Sequence, residues 1–549
     1  MSTRTISEVI ELQPQSKIAI RAASLQEHTF SPRDTSRSPN IDLDAESLSQ
    51  EEYSKSSNTR TFLTIFTPSF VGFLASFTNG VITVGLPVIA RSIELERSLY
   101  LWPSSVYGLT SGASLLIAGS IADIVGARPV ELVGITLLGV FSLACGFAAT
   151  GTQLVAFRAL QGIALALHLP ASVSIITGAV PSGRARNLGF ACLGFSQPLG
   201  FAVGLVLSGV MIERAGWRSG FYLSGSCTLA VAIAAVWTLP RLKPQGEPGL
   251  VVMCRKVAQS IDWIGGLISS GGLATLAYVL AILSADLTSI HAAETASLLA
   301  ISILLLLVFP VWMHYRERKG KPALVPNKLW KNLPFTSTCI MVMMSYGVCN
   351  SIELFSSLYF QEVQHASTLT TSLYLLPNLV TGVLINLLVG FTVHRIPARV
   401  LVAGSALICT LSPLIMALMP STASYFKLAF WAQIFAPFSA DVLFTVGLII
   451  VSECFQGDEQ ALAGAVFNTV AQVGMSLGMG SCQVVALSVQ ARHSSVRAEQ
   501  GTAFVERESA ALLKGYQAGF WLMCAYMLVC VGLAVVGLRK AGKVGVKRE

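Results

Sequence analysis

The sequence predicts an all-α polytopic membrane protein, and three observations carry that expectation. The 549 residues are 53% hydrophobic and 12% charged, which is about half the charge of an ordinary soluble protein. Charge-free apolar windows long enough to cross about 30 Å of hydrocarbon recur along the chain. Finally, residues 152–171, TQLVAFRALQGIALALHLPA, read as a spanning helix yet contain Arg158, Gln161 and His168. At about 100° per residue these three fall within a wedge of roughly 80°. A guanidinium cannot be deprotonated to suit the lipid, so it must face protein or water. A polar stripe on an otherwise apolar helix implies a bundle around a wet cavity.

Taken in order, the tail of residues 1–61 is rich in Ser, Thr, Arg and acids and includes SQEEYSKSSNTR (49–60). Such a tail cannot bury enough apolar area to fold alone and is expected to be disordered. No hydrophobic run precedes the first span, which is expected to act as its own insertion signal. Fourteen spans follow, at roughly 65–89, 101–122, 130–150, 153–179, 188–211, 219–239, 262–284, 294–314, 335–358, 368–392, 400–419, 426–452, 462–489 and 515–538. They divide into a six-helix bundle (62–239), an inserted pair with its flanking loops (240–334), a second six-helix bundle (335–538) and a tail (539–549).

The net charge of +8 comes from 37 Lys and Arg against 29 Asp and Glu. In a soluble protein that balance would suggest nucleic acid; here its placement reads as topology, and no nucleic-acid partner is expected. Loops on the side of the termini carry 20 Lys and Arg, and the opposite loops carry 9. Both termini are therefore expected in the cytoplasm.

An internal repeat supports two bundles. GSIADIVGAR (119–128) follows helix 2, and GFTVHRIPAR (390–399) follows helix 10 in the same register, pairing Gly119 with Gly390 and Arg128 with Arg399. Duplicated bundles of this kind are built by secondary transporters, which bind substrate near the midplane between the halves.

These motifs resemble the major facilitator superfamily, in particular its fungal 14-helix drug:proton antiporter branch of multidrug, toxin and secondary-metabolite efflux. GSIADIVGAR is similar to that family's loop after helix 2 and keeps Gly119, Ala122, Asp123, Gly126 and Arg128, with Ile124 and Ala127 departing from it. LVAFRALQG resembles the helix 4 motif, and GFAVGLVLSG (200–209) the antiporter motif of helix 5. In the latter Gly200, Gly204 and Gly209 match, while Leu205 and Ser208 replace its proline and a glycine. WRSGFYLSG, IDWIGG, LYFQ at 358–361 and AGAVFNTVAQVG also fit the branch. The resemblance covers about residues 62–540. It implies the major facilitator fold and proton-coupled antiport of a small organic molecule by alternating access. It also implies a monomer in the lipid bilayer with no cofactor, in the plasma membrane in preference to the vacuolar one. One departure stands out: Thr78 occupies the place of the helix 1 aspartate found in many members.

Two carboxylates lie well inside the expected spans, Glu353 and Asp441. Ionisable groups there are costly and by default mark ion or proton pathways; the plainer reading is a structural partner for Arg158. Glu353 shares a stripe of roughly 60° with Tyr346, Asn350 and Ser357, whereas Asp441 shares a face with Thr445 and Ser452. Glu353, Asp441 and Arg158 are the candidates for proton coupling. With no acid in helix 1, Arg158 is expected to find its partner across the bundle on helix 9 or 12, so that Arg158 and Glu353 face one central cavity. His168 reads either as a proton relay or as a neutral packing residue. Asn79, Gln161, His168, Tyr346, Asn350, Asn468 and Gln472 are candidates for the substrate cavity; the same residues could equally bond neighbouring helices. Gly119, Asp123, Gly126 and Arg128 are expected to form a cytoplasmic gate. Gly200, Gly204 and Gly209 are expected to let helix 5 approach a neighbour closely.

An enzyme is not expected. The seven histidines are dispersed, the eleven cysteines form no C-x-x-C pair, and no phosphate-binding G-x-x-x-x-G-K-[ST] occurs. No metal site is signalled. GMSLG (474–478) matches a nucleophile elbow formally, but that device needs a strand–turn–helix and this stretch is helical. An uptake permease or uniporter on the same fold, or a non-transporting membrane sensor, are the alternatives to an exporter.

Overall fold

The computed structural model describes residues 40–95, 99–100, 102–180, 184–240, 257–259, 261–285, 287–393, 395–455, 458–495 and 504–539. The expected tails at 1–39 and 540–549, and His394 of the repeated loop, lie outside them. Fourteen helices are long and apolar enough to cross a membrane, and no strand occurs among the described residues.

The helices are α1 (Asn40–Ser92), α2 (Trp102–Val125), α3 (Ala127–Phe147), α4 (Gly151–Ala179), α5 (Arg184–Ala215), α6 (Arg218–Thr238), α7 (Trp263–Ala285) and α8 (Ala293–Arg318). They continue as α9 (Leu333–Leu358), α10 (Thr368–Thr392), α11 (Ala398–Leu418), α12 (Ala429–Cys454), α13 (Asp458–Ser495) and α14 (Phe504–Gly537). The chain divides into two units, Met1–Ser57 and Asn58–Glu549. Of the first, the backbone of residues 40–57 is helical.

Three of the helices begin on a capping side chain. Thr150 accepts the Gln153 N–H at the start of α4, and Gln153 Oε1 accepts the Ala149 N–H in return. Asn332 and Ser367 cap α9 and α10 in the same way. Gly126, at φ 99°, makes the turn between α2 and α3; a side chain there would be strained. The α12 helix is interrupted at Ala436–Pro437, and α9 ends in a π-helical turn, Tyr359–Val363.

Packing reveals the duplication. In the first bundle α4 packs on α2 and α3, and α3 on α6; in the second, α12 packs on α10 and α11, and α11 on α14. The halves meet symmetrically, α2 on α13 and α5 on α10. The glycine stripes match too. A Cβ at Gly200 or Gly204 of α5 would strike the backbone of Phe73 or Phe77 in α1, and one at Gly474 or Gly478 of α13 would strike Met343 or Gly347 in α9. Thus GMSLG is the second bundle's close-approach motif. Gly209 has a different neighbour, Leu369 and Ser372 of α10, so the third glycine of the helix 5 motif serves the contact between halves.

The inserted pair lies outside this frame. The α7 helix covers the α2–α13 seam, and α8 packs chiefly on α7. Asp262 ties the pair together: it caps Gly265 N at 3.0 Å, accepts from Trp312 Nε1 at 3.1 Å and lies 3.7 Å from Arg316.

Candidate functional site

The site is built on α1, α2 and α9, with α13 behind them. A small cavity is lined by Asn79 and Thr83 of α1, Ser104 of α2, and Asn350 and Glu353 of α9, with Phe201, Leu354, Met475 and Met479 as its apolar wall. Asn79, Asn350 and Glu353, all expected cavity or coupling residues, are brought together here. Thr83 and Ser104 join them; a serine at a helix start carries no signal that would have singled it out. Glu353 is 9% exposed and accepts from Asn378 Nδ2 at 3.1 Å.

Arg158 lies behind this wall and does not line it. Fully buried, it donates to Pro103 O at 2.8 Å, Gln161 Oε1 at 2.6 Å, Asn79 Oδ1 at 2.5 Å and Thr78 Oγ1 at 3.5 Å, and it stacks 4.2 Å from the Tyr107 ring. The expected partner on α9 or α12 is therefore corrected. Among the described residues no carboxylate pairs with this guanidinium, whose donors are taken up by neutral acceptors of its own bundle. Thr78 stands where the resemblance would place an acid, and as a hydroxyl it gives Arg158 and Gln161 an acceptor without a charge. Arg158 reaches the cavity through Asn79.

Other expected cavity residues are placed elsewhere. Gln161 is wholly buried, bonded to Arg158 and Ser142. His168 is also wholly buried, 2.9 Å from Glu131 of α3. Glu131 corrects the expectation of two intramembrane acids: an acid one turn into a helix normally reaches the headgroup region, but α4 covers this one. Gln472 packs against Gly108 and Gly112 in the α2–α13 seam, and Asn468 bonds back to Gly464 O. Tyr346 packs in a tilted arrangement against Phe444 of α12, its carbonyl accepting from Asn350.

Asp441 is in α12 beside α10, where a Cβ at Gly382 would lie 2.7 Å from its carboxylate. Asn378, Gly382 and Asn386 are spaced four apart on one face of α10. Asn378 meets Glu353, and Asn386 bonds Gly382 O and Thr445. This face carries a polar ladder about 12 Å long from one acid toward the other.

The end of the bundle remote from the termini is clasped. Glu362, half-buried in the π-helical turn, accepts from Tyr100 at 2.9 Å and from Tyr516 at 2.7 Å. Gln361 donates to Val84 O at 2.9 Å, and Leu369 N to Glu213 at 3.1 Å. Glu362 was not singled out from the sequence, because it falls in a loop-like stretch where an acid is ordinary. At the opposite end the expected gate is not latched to the second bundle. Arg128 holds the last carbonyls of α6, Val236 O at 2.6 Å and Leu239 O at 3.1 Å, and Asp123 is exposed. A Cβ at Gly119 would make ordinary contact with Pro170.

The Major Facilitator Superfamily model matches residues 69–479. An MFS-type transporter 1 of Pyricularia oryzae is 38% identical over 525 residues, covering 89% of this chain and 85% of the relative. The multidrug transporter mfsC of Aspergillus fumigatus is 25% identical over 474 residues, covering 84% of each. Among solved structures, a bacterial homolog of the human lysosomal transporter Spinster, inward-facing and unoccupied, aligns with a TM-score of 0.59 at 15% identity, over 87% of this chain and 97% of that one. A duplicated all-helical bundle with a polar cavity between its halves is what this family builds. The chain belongs to the Major Facilitator Superfamily, and it is a multi-pass membrane transporter rather than an enzyme.

Proposed function

We propose that the protein is a proton-coupled exporter of small organic compounds, drug-like or secondary-metabolite in character, working by alternating access. The observation that carries this reading is the cavity between the halves. Its one ionisable wall residue, Glu353, is bonded to a neutral amide and, among the described residues, paired with no cation. Such a group can change charge without breaking an ion pair, and its polar neighbours and methionines suit an uncharged or weakly basic amphipathic solute. Proton entry releases about 2.3 kcal/mol per charge per 100 mV, enough to drive efflux. Asp441 passes the proton along the α10 ladder, while Arg158 holds Asn79 in the wall. With the termini in the cytoplasm of a plasma-membrane monomer, the clasped end is external. Gly119, Asp123, Gly126 and Arg128 then form the cytoplasmic gate, latching when that end closes.

The test is dye accumulation in inside-out vesicles with an acidified interior, using a panel of fluorescent amphipathic dyes. Glu353→Gln is expected to abolish gradient-driven accumulation; full retention would overturn the coupling role. Thr78, Leu205 and Ser208 favour a second reading, uptake or uniport, because each departs from the antiporter pattern. Cellular accumulation that is indifferent to collapse of the proton gradient would select it.

A further inference from the structure

We propose that Glu131 and His168 form a proton-binding site inside the first bundle, separate from the Glu353 cavity and tied to the seating of α1 and α5 against α4. The proposal does not depend on the exporter reading.

The geometry starts with Gly134. A Cβ there would lie 3.1 Å from His168 N, so α3 and α4 cross closely. That crossing sets the Glu131 carboxylate, one turn earlier on α3, against the imidazole, with Oε1 2.9 Å from Nδ1 and both side chains at 0% exposure. The remaining atoms, Glu131 Oε2 and His168 Nε2, are buried and have no partner among the described residues. Each orphaned polar atom costs about 1–3 kcal/mol, and an apolar pair of the same volume would avoid that cost. A purely structural contact leaves two such atoms unexplained. Each is a place where a proton can be added while the Nδ1···Oε1 contact stays in place.

The free nitrogen faces a helix seam. A Cβ at Gly72 of α1 would lie 3.9 Å from His168 Nε2 and 2.9 Å from Ser196 Oγ of α5. Ser196 spends its proton on Leu193 O, at 2.7 Å, and keeps lone pairs to accept another. Ser69 Oγ, one turn before Gly72, is also buried without a partner. A proton on Nε2 faces this seam, where Ser196 offers the acceptor it lacks, and so occupancy is tied to how α1 and α5 seat against α4.

The surrounding charges are few. From α3 the ring faces Glu131; α1 contributes Ser69 and Gly72, and α5 contributes Ser196 and Gln197. Asp123 at the end of α2 is exposed. Arg158 lies ten residues up α4, about 15 Å along the axis.

The experiment is carbon-13 NMR of histidine-labelled full-length protein in lipid nanodiscs, with the His168 signal identified by its loss in His168→Gln. We expect that signal to change reversibly between two protonation states over the pH range in which the protein stays folded. Glu131→Gln is expected to change the proton concentration at half-titration by about tenfold or more, and Ser196→Ala to change it measurably. A His168 signal held in one state across the range overturns the site. Titration unaffected by Glu131→Gln overturns the pairing, and titration unaffected by Ser196→Ala overturns the link to α5. If Glu131→Gln fails to fold, the wild-type titration and Ser196→Ala still decide. No transported substrate is needed, so failure here is distinct from failure of the exporter reading.

Discussion

Removing the guanidinium of Arg158 tests how the first bundle is held around the cavity. Its two short interhelical bonds reach Asn79 Oδ1 on α1 and Pro103 O on α2. Hydrogen bonds from charged donors contribute about 1.5–3 kcal/mol in soluble proteins, whereas interhelical polar bonds within membranes average about 0.6 and reach about 1.7 kcal/mol. The charged donor and full burial argue for the upper end, about 1.5 kcal/mol for each bond. Arg158→Met is therefore expected to destabilise by about 3 kcal/mol, offset in part by the relief of an uncompensated buried charge. The sharper quantity is the coupling. Asn79→Ala removes one of the two bonds, so Arg158→Met combined with Asn79→Ala should cost less than the sum of the single changes by about 1.5 kcal/mol. Reversible unfolding in mixed micelles, followed by tryptophan fluorescence, measures all three variants. Effects that add to within about 0.5 kcal/mol would refute the direct bond. Arg158→Lys keeps the charge and loses the fork, and is expected to give up at least one of the interhelical bonds.

Two further outcomes follow from packing and from the clasp. Gly204→Ala places a methyl against the α1 backbone at Phe77, whereas Gly194→Ala meets nothing within 4 Å. The first is expected to cost about 1–3 kcal/mol and to lower the folded fraction in size-exclusion chromatography, and equal yields would contradict the close approach. Glu362→Ala removes the acceptor shared by Tyr100 and Tyr516. At about 1.5 kcal/mol or more per charge-assisted bond, the clasped state should lose at least tenfold in population. The readout is faster labelling of Asn350→Cys by a membrane-impermeant thiol reagent added from the clasped side. An unchanged labelling rate would remove Glu362 from the closure.

Much of the architecture was legible because the bilayer limits the alternatives. A backbone in hydrocarbon must satisfy its own hydrogen bonds, so apolar runs placed fourteen helices close to where they occur. The glycine spacing of α5 likewise announced close packing. The partners of those helices were not legible. Gly200, Gly204 and Gly209 form one motif in sequence, yet the first two press on α1 and the third on α10.

At the candidate site, the sequence by itself determined which groups are costly in lipid: Arg158, His168 and Glu353 stand out because each charge or polar edge must be compensated. Only the tertiary structure decided how. Arg158 was expected to pair with an acid across the bundle and instead meets amides, a hydroxyl and a carbonyl of its own half. Glu131 reads as an interfacial acid until α4 is laid over it. The physical reason is one of range. Hydrophobic periodicity is local and survives in a single helix, whereas a hydrogen bond between residues 79 and 158 depends on where two helices cross. That crossing is set by the summed packing of the whole bundle, and no short stretch of sequence encodes it.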